Sequence, residues 1–111
     1  MRDWHLYIVR CADDSLYTGI TTDVERRLAE HRRRGSRGAR YVRSRTLREL
    51  LYSARVGDRS AALIAEAAVK SLDKARKEAL VAGAVTLAEI VDARRRVRGA
   101  RRARADDSVP V

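Results

Sequence analysis

Two short runs of aromatic and β-branched residues lie near the N-terminus, at residues 4–10 and 16–21. Runs of this length and composition are typical of β-strands. The stretch between them, residues 12–15, contains two Asp and a Ser, which favour turns. The pattern therefore predicts a β-hairpin at the start of the chain.

The next segment changes to helical spacing. Val24, Leu28 and His31 recur every three or four residues and predict a helix over residues 23–34. Either Thr22 or Asp23 could cap its N-terminus. Gly35 and Gly38 are expected to end it.

The rest of the chain predicts one more strand and further helices. A third strand is expected at residues 50–54, after an Arg-, Ser- and Gly-rich loop at residues 35–47. The Ala-rich stretch 59–81 predicts either one long helix or two joined helices. Residues 85–98 predict a last helix, with fraying or disorder expected from about residue 99 onward.

This order of elements predicts a small α+β domain. Its three-stranded, mainly antiparallel sheet would be flanked by helices in the order β-β-α-β-α-α. Residues 1–82 are expected to form the domain. Residues 83–111 would be a helical C-terminal extension with an Arg-rich, partly disordered tail.

Charge narrows the possible partners. The chain has 25 Lys plus Arg against 15 Asp plus Glu, a formal net charge of +10, and 22 of the 25 cations are Arg. This balance favours polyanions, and the guanidinium fork suits phosphate. A compositional bias of the genome is the alternative explanation for Arg over Lys, but it accounts less well for the excess of positive charge.

Several protein classes are excluded or disfavoured. Cys11 is the only cysteine, so the chain has no intramolecular disulfide and no cysteine-based zinc site. We interpret Cys11 as a small apolar strand residue. No N-terminal leader pattern and no apolar run of membrane-spanning length is present, so the expected location is the cytoplasm.

Five polar side chains could act together on phosphate. Arg27 and His31 lie four residues apart, on one face of the predicted helix. Tyr7 and Tyr17 lie on the two strands of the hairpin, where an antiparallel pair can place them on one face. Glu66 is a carboxylate within an Ala-rich helix, where it needs a partner or a metal. Singly, each has an ordinary structural explanation, the Glu66–Lys70 spacing included.

Jointly, these residues resemble the motifs of the GIY-YIG nuclease superfamily, in particular its small stand-alone bacterial members. The segment His5-Leu6-Tyr7 stands at the Gly-Ile-Tyr motif, and Tyr17-Thr18-Gly19 stands at the Tyr-Ile-Gly motif. Arg27, His31 and Glu66 follow in the family's order. The resemblance covers residues 3–82, with His5 in place of Gly and Thr18 in place of Ile.

The resemblance implies roles for the five side chains in phosphodiester hydrolysis. Glu66 would hold one Mg²⁺ or Mn²⁺, and Arg27 would clamp the scissile phosphate. Tyr7, with Tyr17 beside it, would orient or deprotonate the attacking water. Because a free tyrosine has a pKa of about 10, we expect Arg27 and His31 to lower the pKa of Tyr7.

A second group of residues is predicted to contact nucleic acid, with DNA as the expected partner. Most lie in the basic loop, where Arg side chains could track phosphates and an aromatic ring could stack on a base. Gly19 is expected to allow a close approach of the backbone to a helix or a phosphate. The predicted contacts are Gly19, Arg32, Arg37, Arg40, Tyr41, Arg43 and Lys70.

Three functions remain open from the sequence. The first is a metal-dependent endonuclease that selects DNA by structure rather than by sequence. The second is a nucleic-acid-binding module on a nuclease fold with little turnover, a hypothesis that also accounts for His5 and Thr18. The third is a protein-interaction domain whose last helix and basic tail dock on an acidic partner.

Overall fold

A computed structural model describes residues 2–35 and 47–107 of the chain. The strands are β1 (Trp4–Cys11), β2 (Leu16–Thr21) and β3 (Leu47–Gly57), and the helices are α1 (Val24–Gly35), α2 (Arg59–Lys70), α3 (Lys74–Ala82) and α4 (Leu87–Asp107). The predicted α+β fold is confirmed. The Ala-rich stretch forms two helices, and β3 is longer than the predicted residues 50–54.

The three strands form one antiparallel sheet in the order β2-β1-β3. β1 and β2 make the predicted hairpin, in which Tyr7 pairs with Gly19 and Val9 pairs with Tyr17. β1 is the central strand and carries the most deeply buried aliphatic residues of the sheet. β2 is therefore an edge strand, a position that matters for the candidate site.

The hairpin turn forms through local hydrogen bonds. The Cys11 amide donates to the Ser15 carbonyl at 2.9 Å, and the Asp14 amide donates to the Cys11 carbonyl at 2.9 Å. Asp14 has a φ of 69°, in the left-handed region that Asp and Asn tolerate better than most residues. The turn therefore uses the Asp-rich composition from which it was predicted.

Asp side chains begin three of the helices. Asp23 accepts from the Arg26 amide at 3.1 Å, so Asp23 rather than Thr22 caps α1. Asp58 accepts from the Ala61 amide at 2.8 Å, and Asp73 accepts from the Arg76 amide at 2.9 Å. A side-chain cap satisfies an amide that lacks a partner within the helix. The cap at Asp73 is the local reason that α2 and α3 are separate helices.

Both faces of the sheet are covered. Leu6 and Ile8 point to one face, where they pack with residues of α2, α3 and α4. Tyr7 and Val9 point to the other face, where they pack with Leu28 of α1. Since successive strand residues point to opposite faces, the uninterrupted burial from Leu6 to Val9 follows from this two-sided packing.

The C-terminal extension is helical where the structure describes it. Helix α4 runs from Leu87 to Asp107, and the fraying or disorder expected from about residue 99 onward stays a prediction. Arg94 anchors its first half, because its Nη1 atom donates to the Ala67 carbonyl at 2.9 Å. Within residues 2–35 and 47–107, no helix has the length and apolar content needed to cross a membrane.

Candidate active site

The Tyr7 ring lies directly over Gly19 on the edge strand. A Cβ atom built on Gly19 would lie 2.5 Å from the Tyr7 hydroxyl oxygen and 2.6 Å from the ring carbon that carries it. Only a residue without a side chain leaves room for the ring. The close approach seen at Gly19 is made by the Tyr7 ring, and the expected approach of a phosphate to Gly19 stays a prediction.

Two further rings join Tyr7 on this face. The Tyr7 and Tyr17 ring centroids are 6.3 Å apart, and the Tyr17 and His31 centroids are 5.6 Å apart in an edge-on arrangement. The Tyr7 hydroxyl oxygen lies 3.4 Å from His31 Nε2, a long hydrogen bond. β1, β2 and α1 thus each contribute one side chain to a compact polar cluster.

Arg27 approaches the same hydroxyl from α1. It acts on Tyr7 as a hydrogen-bonding cation, and this contact with Tyr7 raises the pKa of Arg27 above its usual value. Its Nη1 atom also forms an ion pair with Glu30 Oε2 at 3.2 Å. About a third of the Arg27 side chain, 34%, is exposed, so the guanidinium can contact a ligand in solvent.

The pKa of Tyr7 is not lowered as expected. Burial raises it above 10.0, because the phenolate loses hydration, and the opposing effect of Arg27 is smaller. Tyr17 and Glu66 also raise it. In this state Tyr7 is a neutral phenol at neutral pH.

Burial also restricts the role assigned to Tyr7. Only 1% of the residue is exposed, so its hydroxyl does not meet bulk water. The cover includes Arg27 and His31, which are themselves only half-buried.

Glu66 lies on α2, the helix on the opposite face of the sheet from α1. Its carboxylate raises the pKa of Tyr7, which places it within electrostatic range of the hydroxyl. Glu66 Oε2 also lies 3.4 Å from Lys70 Nζ. The Tyr7 ring lies over Gly19 on the edge strand β2, and Glu66 affects the Tyr7 hydroxyl electrostatically from the other face of the sheet.

A divalent cation bound at Glu66 would have few protein ligands. In the part of the chain that the structure describes, no three His, Cys, Asp or Glu side chains are grouped for metal binding. Mg²⁺ commonly keeps several waters and binds one or two carboxylates together with substrate phosphates. Glu66 is 21% exposed, so its carboxylate could hold such an ion.

His5 and Thr18, the two residues that depart from the family motif, lie at different positions relative to Tyr7. Thr18 pairs with Ile8, and so its side chain lies on the face away from Tyr7. His5 is on β1 two residues before Tyr7, on the same face. Thr18 Oγ1 and His5 Nδ1 are both buried without a hydrogen-bond partner among the described residues. Thr18 therefore leaves the cluster around Tyr7 unchanged.

The structure describes only some of the residues that were predicted to contact nucleic acid. Arg37, Arg40, Tyr41 and Arg43 lie outside the described residues. Arg32 is exposed on α1, one residue after His31. Lys70 is 53% exposed beside Glu66. Two of the predicted cations are therefore solvent-accessible near the candidate site.

Glu30 is a neighbour of the site that the sequence reasoning missed. It forms ion pairs with Arg26 at 3.3 Å and with Arg27 at 3.2 Å, and Arg27 holds the pKa of Glu30 below its usual value. The spacing from both arginines is the helical i,i+4 and i,i+3 spacing, which could have identified the contact. Glu30 therefore competes with any phosphate for Arg27.

The fold and this cluster agree with a sequence comparison. The family described as "GIY-YIG catalytic domain" matches residues 3–79. The chain belongs to this family of nucleases, as its motifs indicated.

The relatives narrow the family to small bacterial proteins. The chain is similar to the UPF0213 protein of Cronobacter sakazakii, with 52% identity over 75% of this chain and 85% of that protein. It is 50% identical to UPF0213 protein YhbQ of Escherichia coli K12, over 82% of this chain and 89% of that protein. The solution NMR structure of UPF0213 protein BH0048 from Bacillus halodurans matches with 38% identity and a TM-score of 0.46, covering 72% of this chain and 83% of that one.

Proposed function

We propose that this protein is a divalent-metal-dependent endonuclease that hydrolyses phosphodiester bonds in DNA and selects its substrate by structure. The observation that carries the proposal is the convergence of Tyr7, Tyr17, Arg27 and His31 at the β2 edge, within electrostatic range of Glu66. Hydrolysis needs a charge clamp, a proton acceptor and a site for a cation. On this proposal, these side chains would supply all three.

Arg27 would bind the scissile phosphate. In the absence of substrate its guanidinium is shared between Glu30 and Tyr7. A phosphate group offers more acceptor oxygens and can take a guanidinium in a bidentate arrangement. Substrate binding would draw Arg27 away from Tyr7 and uncover the phenol.

Tyr7 and His31 would then accept the proton that the attacking water releases. The raised pKa keeps Tyr7 in its neutral form, which is a poor base alone, but the imidazole Nε2 of His31 is already 3.4 Å from its oxygen. Tyr7 can accept a proton from water as it passes its own proton to His31. Tyr17 packs edge-on against His31 and fixes the ring orientation.

Glu66 would hold the cation, one Mg²⁺ or Mn²⁺. When bound, the ion would supply positive charge for the phosphoryl and leaving oxygens. The carboxylate position on α2 brings the ion to the β2 edge rather than into the core. Lys70, one helical turn away, is placed to contact a neighbouring phosphate.

A nucleic-acid-binding module with little turnover is a second candidate, favoured by one observation. Tyr7 is buried to 1% exposure and its pKa is raised, which is unfavourable for a group that must meet water. On this alternative Arg27, Arg32, Lys70 and the basic loop hold nucleic acid without cutting it.

Cleavage of defined DNA substrates separates the two functions. Branched, nicked and single-stranded DNA would be incubated with wild type, Glu66→Gln and Arg27→Ala in Mg²⁺ or Mn²⁺. Removing a single electrostatic contact of this kind typically costs about 10²- to 10³-fold in rate. We expect losses of that size in both variants, and no wild-type cleavage with EDTA.

Two exposed residues supply matched controls. Glu25→Gln removes a carboxylate from the first turn of α1, and Arg59→Ala removes a guanidinium from the start of α2. Both should cleave as wild type does. Equal rates for wild type and Glu66→Gln would overturn the metal assignment. Tight binding without cleavage of any substrate would establish the second candidate.

A further inference from the structure

A cavity lies beside Arg27, and its other lining residues have no role in the proposed chemistry. It has a volume of about 310 Å³, at the small end of the roughly 300–1,000 Å³ range of ligand sites. It is bounded by the start of β1, the end of β2 and one face of α1. Arg27 belongs to both the cavity wall and the candidate active site, so the two are contiguous.

The cavity wall combines an aromatic ring with cations. Trp4, the only tryptophan in the chain, lines it and is half-buried. Arg2 and Arg26 line it as well, and the Arg26 side chain is 72% exposed. An aromatic surface next to guanidinium groups is the combination that binds an unpaired base and its phosphate.

The remaining wall is mostly polar, with Ile20 as its aliphatic residue and Asp23 as a second carboxylate beside Glu30. Thr21 and Thr22 contribute from the end of β2, and Glu30 contributes from α1. The Glu30 carboxylate already pairs with Arg26 and Arg27, so it holds the two guanidinium groups at the cavity. The chemistry of this wall suits a nucleotide better than an apolar molecule.

We propose that this cavity binds one unpaired nucleotide adjacent to the scissile phosphate, with its base stacked on Trp4. The proposal rests on the proposed nuclease function, and it names the substrate class as DNA with a single-stranded segment next to the cleavage position. Arg27 would contact the scissile phosphate, and Arg2 and Arg26 would contact the flanking phosphate. A fully paired blunt duplex cannot place a base in the cavity without breaking a base pair.

Because Trp4 is the only tryptophan in the chain, its fluorescence reports directly on binding in this cavity. Wild type would be titrated, in EDTA to prevent cleavage, with a duplex carrying a single-stranded overhang and with the same duplex ended bluntly. A base stacked on Trp4 should quench and shift its fluorescence. We expect this change with the overhang and not with the blunt duplex. Free deoxynucleoside monophosphate tests whether the strand is required.

Two variants and one modified DNA define the contact. Trp4→Leu should weaken overhang binding roughly tenfold or more in an anisotropy assay with labelled DNA, as expected for loss of one base stack. Trp4→Phe retains a stacking ring and should lose much less. An abasic site scanned along the overhang should abolish the fluorescence change at one position next to the duplex junction. Thermal melts of both variants establish that they are folded.

The outcomes distinguish this proposal from the nuclease assignment. If folded Trp4→Leu binds and cleaves overhang and blunt DNA as wild type does, the cavity proposal fails and the nuclease stands. If the overhang changes Trp4 fluorescence but no DNA is cut, the cavity proposal stands and the nuclease fails. Equal fluorescence changes with overhang and blunt duplex would overturn the requirement for an unpaired base.

Discussion

At the scale of single residues, Tyr7 links the core to the candidate site. Its ring packs with Val9 and Leu28, and its hydroxyl meets His31 and Arg27. The predicted hairpin allowed Tyr7 and Tyr17 to lie on one face of the sheet. How deeply Tyr7 is buried depends on how α1 covers that face, and this burial raises the pKa of Tyr7. The sequence pattern could not predict the extent of this burial.

Gly19→Ala tests the contact between Gly19 and the Tyr7 ring. The new methyl group would overlap the ring unless Tyr7 moved, and overpacking of a tight site costs roughly 1–3 kcal/mol. We expect a loss of that size in the free energy of unfolding, measured by urea denaturation. DNA cleavage, where wild type shows it, should fall as well.

Gly99→Ala is the matched control. Nothing lies within 4 Å of a Cβ atom added there, and Ala favours a helix by up to about 1 kcal/mol over Gly. This variant should be as stable as wild type or more stable. Equal effects at the two glycines would show that the Tyr7 contact does not constrain Gly19.

At the scale of elements, charged side chains connect the hairpin turn to α3. Arg10 Nη1 and Nη2 lie 2.9 Å from Asp14 and from Glu78, and Lys74 Nζ lies 3.1 Å from Asp14. Lys74, and then Arg10, lower the pKa of Asp14. Asp14 and Lys74 are 60 residues apart in the sequence, so the sequence pattern could not predict this ion pair.

The lowered pKa predicts a dependence of stability on pH. A carboxyl whose pKa is lower in the folded state stabilises the fold above its unfolded pKa, near 3.8. That contribution is lost as the pH falls from about 3.8 through the lower folded value. Asp14→Asn keeps a side chain tolerant of positive φ and removes the charge, so it should be less stable than wild type at pH 6.

Urea denaturation of both proteins between pH 6 and pH 2 measures the effect. The difference in unfolding free energy between wild type and Asp14→Asn should shrink as the pH falls below about 3.8. Because Asp14 and Lys74 are exposed, 0.3 M salt should also reduce it. A difference that is constant with pH would contradict the assigned charge contacts.

At the scale of the whole molecule, a net charge of +10 gives a long-range attraction to polyanions. The arginines are not equivalent, however. Arg94 is committed to the Ala67 carbonyl and joins α4 to α2. Arg95, the next residue along α4, is exposed. The number of arginines in the sequence is therefore larger than the number of cations available to bind phosphate.

Salt titrations of DNA binding distinguish these two arginines. The logarithm of affinity for duplex DNA should fall with the logarithm of salt by about 0.9 per phosphate contacted. We expect Arg95→Ala to reduce that slope by up to about 0.9. Arg94→Ala should leave the slope unchanged and lower the melting temperature. The reverse result would assign Arg94 to the nucleic-acid contact.

The sequence by itself determined the local elements, because hairpin composition, helical spacing and Asp caps act over a few residues. It also determined the family, since Tyr7, Tyr17, Arg27, His31 and Glu66 occur in the family's order. The sequence pattern left open whether residues 59–81 form one helix or two, and the structure shows two, with Asp73 capping the second.

Only the tertiary structure decided the state of the site. The burial of Tyr7, the pairing of Glu30 with Arg27 and the cavity beside Trp4 all arise where β1, β2 and α1 meet. The desolvation of Tyr7 and the strength of its charge interactions depend on distances through space. Residues that are far apart in the chain set those distances, so the sequence pattern alone could not predict the pKa shifts in the site.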